Sequence, residues 1–132
     1  MKRFLCLAGA LGAFCVLIAG ASAKDYNYDV NLPGIWLHIT LVDGVKSSDR
    51  ANAKNYPGNC DVRFTCWIDA EITKNNWLPV TADYTFFANK AQEMKYSKVI
   101  PRYGTKVRLR TKSDALVGGK KIVGKINFDY KS

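Results

Sequence analysis

Strict alternation of apolar and polar residues is the feature that most limits how this chain can fold. From position 62 to 73 every second residue is apolar, and most of the residues between them are polar or charged. The apolar side consists of Val62, Phe64, Cys66, Ile68, Ala70 and Ile72. Because side chains of an extended strand point alternately to opposite faces, this pattern predicts a half-buried β-strand.

The same alternation recurs along the chain, whereas spacing typical of a helix is scarce. Further strands are predicted at 35–41, 81–87, 96–100, 105–111 and 121–130. Only residues 89–94 indicate a short helical turn. Six or seven short strands separated by Pro and Gly predict an all-β protein, an antiparallel β-sandwich with a small β-barrel as the alternative.

The first 23 residues have the order of segments found in a secretory signal peptide. Lys2 and Arg3 precede an uncharged apolar stretch at 4–19, and Ala21-Ser22-Ala23 then forms a small-x-small cleavage site. This arrangement predicts cleavage after Ala23 and a secreted or periplasmic protein. An uncleaved membrane anchor is the alternative, because residues 4–21 approach the length that spans a bilayer.

Cleavage would leave residues 24–132, a length that suits a single domain with one core. The full chain carries a net charge of +9, and loss of Lys2 and Arg3 would leave +7. A basic exported domain is attracted to anionic partners such as membrane headgroups, acidic glycans or nucleic acid. A simpler interpretation is that the charge only keeps the protein soluble.

Two cysteines, Cys60 and Cys66, lie beyond the signal peptide, and an oxidising compartment favours a disulfide between them. Their spacing conflicts with the strand prediction. Six extended residues span about 20 Å, whereas bridged Cα atoms lie about 5.5–6 Å apart. Either the chain doubles back within 61–65, so that the strand begins near Trp67, or the two cysteines do not pair. We expect the bridge.

Two regions resemble parts of C2 domains. Residues 35–43, Ile-Trp-Leu-His-Ile-Thr-Leu-Val-Asp, and the loop to Asp49 resemble the opening strand and first loop of that family. Residues 106–111 with 114–118 and 122–124 resemble its closing strands and third loop. The resemblance implies an eight-stranded sandwich, and many members of the family bind membranes through calcium held by loop aspartates.

The calcium-binding residues of that family are poorly matched here. Asp43, Asp49 and Asp61 could populate the first loop region, but the third offers only Asp114, beside Lys112. A divalent calcium ion needs six or more oxygen ligands. We therefore expect no calcium binding, and no motif indicates another metal or a cofactor.

A ladder of basic residues is the sharpest candidate for a binding site. Lys106, Arg108, Arg110 and Lys112 occupy alternate positions opposite Val107 and Leu109. If this strand forms a hairpin with 121–130, their outward faces merge into one cationic patch that extends to Lys121 and Lys125. Such a patch can bind phosphates, sulfates or carboxylates, the arginines doing so bidentately. A solvated outer face is the alternative.

Aromatic residues offer a second kind of binding surface. Trp36, Trp67 and Trp77 fall at strand or loop positions, and Trp67 points to the polar side of its strand, near Arg63. An exposed indole there would suit stacking on a sugar or a base. A Trp covered by a neighbouring loop is the commoner outcome.

Catalytic residues are few. His38, the only histidine, lies in an apolar strand and is expected to be structural. Asp69 and Glu71 share an outward face and could in principle hydrolyse glycosides. The sequence favours a secreted, non-enzymatic module that binds an anionic partner through its basic face. The alternative is an inhibitor or interaction protein that acts through loops 43–60 or 113–119.

Overall fold

The computed structural model describes residues 24–114, 116 and 118–131, so the predicted signal peptide lies outside the described residues. Within them the chain forms nine strands and no α-helix. The strands are β1 (Asp25–Asn31), β2 (Leu37–Val45), β3 (Asn52–Pro57), β4 (Phe64–Thr73), β5 (Asn76–Pro79), β6 (Tyr84–Phe86), β7 (Gln92–Lys95), β8 (Lys106–Ser113) and β9 (Lys121–Tyr130). This part of the chain contains no helix long and apolar enough to cross a membrane.

The strands form two antiparallel sheets. One has four strands in the order β1-β9-β3-β7. The other has five, with β2-β8-β4-β5 in order and β6 paired to β4 beside β5. The predicted β-sandwich is confirmed, and the barrel alternative is wrong, because the described strands form two open sheets rather than one closed sheet. The helical turn expected at 89–94 is also wrong, since Gln92–Lys95 pairs with β3.

One hydrophobic core lies between the sheets and contains the apolar sides of the predicted strands. Ile68 on β4 and Leu109 on β8 are fully buried in it from the five-stranded sheet. Ile122, Ile126 and Phe128 on β9 enter the same cluster from the other sheet. Since β8 and β9 both bury their apolar side in this core, their polar sides face away from each other.

The predicted β8–β9 hairpin is therefore wrong. β8 pairs with β2 and β4, whereas β9 pairs with β1 and β3 in the opposite sheet. Lys121 and Lys125 consequently do not join the basic ladder. Lys121 instead contacts Asp29 on β1 at 3.6 Å, and Lys125 contacts Asp25 at 3.5 Å.

Half of the long loop predicted at 43–60 is strand. β2 continues to Val45 and β3 begins at Asn52, which leaves 46–51 as the connection. Lys46 fixes this connection from within the core: its ammonium lies 2.6 Å from an Asp129 carboxylate oxygen and donates to the Phe128 carbonyl at 2.9 Å. The backbone N–H groups of Ser47 and Ser48 also donate to Asp129, at 2.8 and 3.1 Å.

Cys60 and Cys66 are both free, so the predicted disulfide is not formed in this structure. β4 begins at Phe64 rather than near Trp67, and the chain therefore does not double back as a bridge would require. Cys66 is fully buried on β4, and the Cys60 thiol instead donates to the Val123 carbonyl at 3.2 Å. Burial raises the pKa of both thiols, which keeps them protonated.

Candidate functional site

The outer face of the five-stranded sheet carries the basic ladder. Residues on β8 alternate as predicted, with Val107, Leu109 and Thr111 fully buried between the cationic positions. Lys106, Arg108, Arg110 and Lys112 thus share the outer face. The flanking strands add polar side chains, because His38 and Thr40 on β2 lie opposite Lys112 and Arg110.

A single carboxylate lies between the two arginines. Asp69 pairs in register with Arg108, and the neighbouring position Trp67 pairs with Arg110. One carboxylate oxygen of Asp69 lies 3.7 Å from the Arg108 Nε and 3.8 Å from the Arg110 Nε. These distances are too long for hydrogen bonds, so the attraction is Coulombic. The other carboxylate oxygen accepts a hydrogen bond from the Trp67 indole at 2.9 Å.

Each guanidinium group is also held by a neighbour other than Asp69. Arg108 stacks on Trp77, with 4.1 Å from its Cζ to the ring centroid. Arg110 donates from Nη1 to the Thr40 hydroxyl at 2.9 Å. Burial and the adjacent Arg108 charge lower the pKa of Arg110, although an arginine stays charged at neutral pH. The two cations are therefore fixed in position and share one counter-charge.

A concave depression of about 650 Å³ is lined by Arg110 and Asp69 of this group. His38 and Trp67 pack edge to face in its wall, with ring centroids 5.0 Å apart. Its charged lining is mixed in sign and consists of Asp69, Asp83, Lys98, Arg110 and Lys112. Lys112 lies 3.7 Å from Asp83, an exposed pair that solvent screens.

The tryptophans differ in accessibility. Trp67 points to the outer face as predicted but is only 8% exposed, so its flat surface is covered. Trp77 lies under Arg108. Trp36 is 75% exposed, at the end of the sandwich rather than in the depression.

The candidate catalytic residues are occupied in other contacts. His38 is exposed on the outer face, where its ring packs edge to face on Trp67. Asp69 is held by Trp67 and the two arginines, and Glu71 accepts the Asn75 backbone N–H at 3.0 Å. In the described ranges, no three His, Cys, Asp or Glu side chains group as metal ligands would.

The segments that resemble C2 loops lie at opposite ends of the β2–β8 pair. Asp43 lies opposite Arg108, toward the end where Val45 pairs with Lys106. Asp114 follows Ser113, which pairs with Leu37 at the other end. Asp49 belongs to the connection after Val45 and accepts the Tyr103 backbone N–H at 2.7 Å.

Sequence reasoning missed Asp69 as the shared counter-charge, and it missed Thr40 and Lys98 altogether. No protein-family model, curated protein or solved structure matches this chain. By its own geometry the molecule is a β-sandwich whose outer sheet face holds fixed cations around one carboxylate. The chemistry of that face is the basis for assigning a function.

Proposed function

We propose that residues 24–132 form an exported, non-enzymatic binding module that holds an acidic glycan on the outer face of the five-stranded sheet. The observation that carries the proposal is that two fixed guanidinium groups share one carboxylate, and that Arg110 and this carboxylate line a concave depression. Asp69 can neutralise only one of them. The remaining positive charge can pair with a carboxylate or sulfate of the ligand through charge-assisted hydrogen bonds.

The mixed charge of the depression favours a glycan over nucleic acid. Duplex DNA carries one negative charge per about 1.7 Å of its axis, so its phosphates would meet Asp69 and Asp83 as well as the cations. A polyuronate carries its charges farther apart, with hydroxyl groups between them. Those hydroxyls can donate hydrogen bonds to the two carboxylates. The exposed His38 ring, which packs edge to face on the covered Trp67, supplies a flat contact for a sugar ring.

Calorimetric titration with polygalacturonate, compared with neutral dextran, tests this function. We expect the wild-type protein to bind the acidic polymer only, more weakly as salt rises. Arg108→Glu with Arg110→Glu should reduce affinity more than about tenfold, since a hydrogen bond to a charged group contributes about 1.5–3 kcal/mol. Prolonged incubation should leave the polymer length unchanged.

Lys121→Glu with Lys125→Glu is the matched control, because it makes the same change of net charge on the opposite sheet. This variant should bind nearly as well as wild type. An equal loss in both double variants would mean that net charge alone drives binding. Tighter binding to single-stranded DNA than to polygalacturonate would assign the face to nucleic acid instead.

A further inference from the structure

Four exposed apolar side chains form a tip at one end of the sandwich. Three belong to the segment that joins β1 to β2 and enters β2: Ile35, Trp36 and Leu37 are 60%, 75% and 45% exposed. The fourth, Leu116, follows β8 and is 87% exposed. Such a concentration of exposed apolar side chains marks an interaction site rather than ordinary surface.

Backbone contacts hold the two parts of this tip together. The Leu32 N–H donates to the Lys120 carbonyl at 2.8 Å, and the Gly119 N–H donates back to the Leu32 carbonyl at 2.9 Å. The Ser113 hydroxyl donates to the Pro33 carbonyl. A side chain at Gly34 would place its Cβ 3.3 Å from the Gly118 Cα, so the two backbones are closely packed. Hydrogen bonds and close packing therefore fix the backbone segments that carry the exposed apolar residues.

Two cations lie beside the apolar residues. A groove of about 740 Å³ runs beneath the tip between Trp36, Leu116 and Phe64, and Arg63 and Lys112 also line it. Asp114 is the acidic residue in the lining, and its carboxylate is engaged in accepting the Leu116 N–H at 2.9 Å. The surface thus combines an apolar centre with the exposed cation of Arg63 and with Lys112, which also pairs with Asp83.

We propose that this tip docks on an anionic lipid bilayer, a function separate from glycan binding on the sheet face. Trp36 would lie at the headgroup level, where indole rings are favoured, and Leu116 would enter the acyl region. Arg63 would contact a lipid phosphate, because basic residues beside an inserted apolar surface are attracted to anionic lipids. A protein partner fits less well, since a stable interface buries about 800 Å² on each side, more than four side chains present.

Flotation with lipid vesicles tests the proposal. We expect wild-type residues 24–132 to float with phosphatidylcholine vesicles containing one third phosphatidylglycerol and not with pure phosphatidylcholine. Trp36→Ser with Leu116→Ser should reduce the bound fraction about tenfold, because two large apolar side chains no longer leave water. Arg63→Glu should remove the preference for anionic vesicles. Vesicles with bromine-labelled acyl chains should quench the tryptophan fluorescence of the wild-type protein. They should not quench the tryptophan fluorescence of Trp36→Phe, which lacks the exposed indole of the tip.

Tyr103→Ser is the matched control, because Tyr103 is 71% exposed at the opposite end of the β2–β8 pair. It should float like wild type, and thermal unfolding should confirm that all variants are folded. Failure of the wild-type protein to float, or equal losses in Tyr103→Ser and the tip variant, would overturn the proposal. Arg108→Glu with Arg110→Glu should still float while losing polygalacturonate, and the tip variant should do the reverse, which separates the two functions.

Discussion

Asp69 organises the outer face because it interacts with residues on two strands at once. Its carboxylate accepts the Trp67 indole hydrogen bond within β4 and attracts both arginines of β8. The alternation of residues along β4 predicts that Asp69 points outward. It does not predict the pairing register with β8 that places Asp69 between Arg108 and Arg110. That register depends on which strand lies beside β4, a tertiary fact that alternation along one strand does not contain.

Replacing Asp69 with Asn should have opposite effects on stability and on binding. The amide can still accept from Trp67, but the two arginines lose their shared counter-charge, so we expect a loss of about 1–2 kcal/mol in unfolding free energy. The extra positive charge should raise affinity for polygalacturonate several-fold. Urea denaturation and calorimetry measure the two effects. The matched Asp83→Asn change, at an exposed carboxylate, should leave stability nearly unchanged. Equal stability of Asp69→Asn and wild type would contradict the assigned role.

Acid should destabilise the protein through Asp129. Burial alone would raise the pKa of this carboxyl, but hydrogen bonds from Lys46, Ser47 and Ser48 outweigh it and hold the pKa below its ordinary value. A carboxyl with a lowered folded pKa stabilises the protein above its unfolded pKa of about 3.9. This stabilisation disappears as pH falls through that value toward the lower pKa of the folded state.

Denaturation midpoints at pH 7 and pH 3 for wild type and Asp129→Asn measure this contribution. The variant should be less stable at pH 7, because Lys46 is then buried without a counter-ion. It should lose less stability than wild type between the two pH values. An identical pH dependence in both proteins would show that Asp129 does not titrate differently on folding.

At the scale of elements, strands with clear alternation were predictable and polar ones were not. β9 spans the predicted residues, and β8 begins one residue later and ends two residues later than its prediction. β3 escaped prediction because its inward side includes Ala53 and Asn55, and a buried Asn does not signal a core position. The Asn55 side-chain oxygen accepts a hydrogen bond there from the Tyr28 hydroxyl, at 2.8 Å from β1 across the intervening β9. Its buried amide nitrogen has no hydrogen-bond partner among the described residues.

Gly124 on β9 makes that connection possible. A Cβ at this position would lie 2.6 Å from the Tyr28 hydroxyl and 2.6 Å from the Tyr56 carbonyl oxygen. Gly124→Ala must therefore displace backbone or break the bond to Asn55, and we expect a loss of about 1–3 kcal/mol in urea denaturation. Lys125→Ala, at the next position, removes an exposed ion pair and a contact of the ammonium with the Tyr56 ring, and it should change stability by less than about 1 kcal/mol. Similar losses would contradict close packing at Gly124.

At the scale of the whole molecule, the sandwich places the basic residues of β8 and β9 on opposite faces, although the two strands are neighbours in the sequence. The prediction of a β8–β9 hairpin was wrong because the sequence is compatible with two arrangements. Two alternating strands with a short connection can pair in one sheet, or the chain can cross from one sheet to the other between them. In this structure β8 and β9 lie in opposite sheets, and both bury their apolar sides in the core between them. The basic ladder on β8 and the lysines of β9 consequently face away from each other.

The two thiols report on the integrity of this core. Cys60 is 9% exposed and Cys66 fully buried, and burial raises the pKa of both, so neither should react with iodoacetamide in the folded protein. Intact mass after labelling without reductant should show no adduct under native conditions. Residues 24–132 should show two adducts in urea, because unfolding exposes both cysteines of this part of the chain. A mass lower by two hydrogens and no adduct in urea would instead demonstrate a Cys60–Cys66 disulfide, which the early start of β4 opposes.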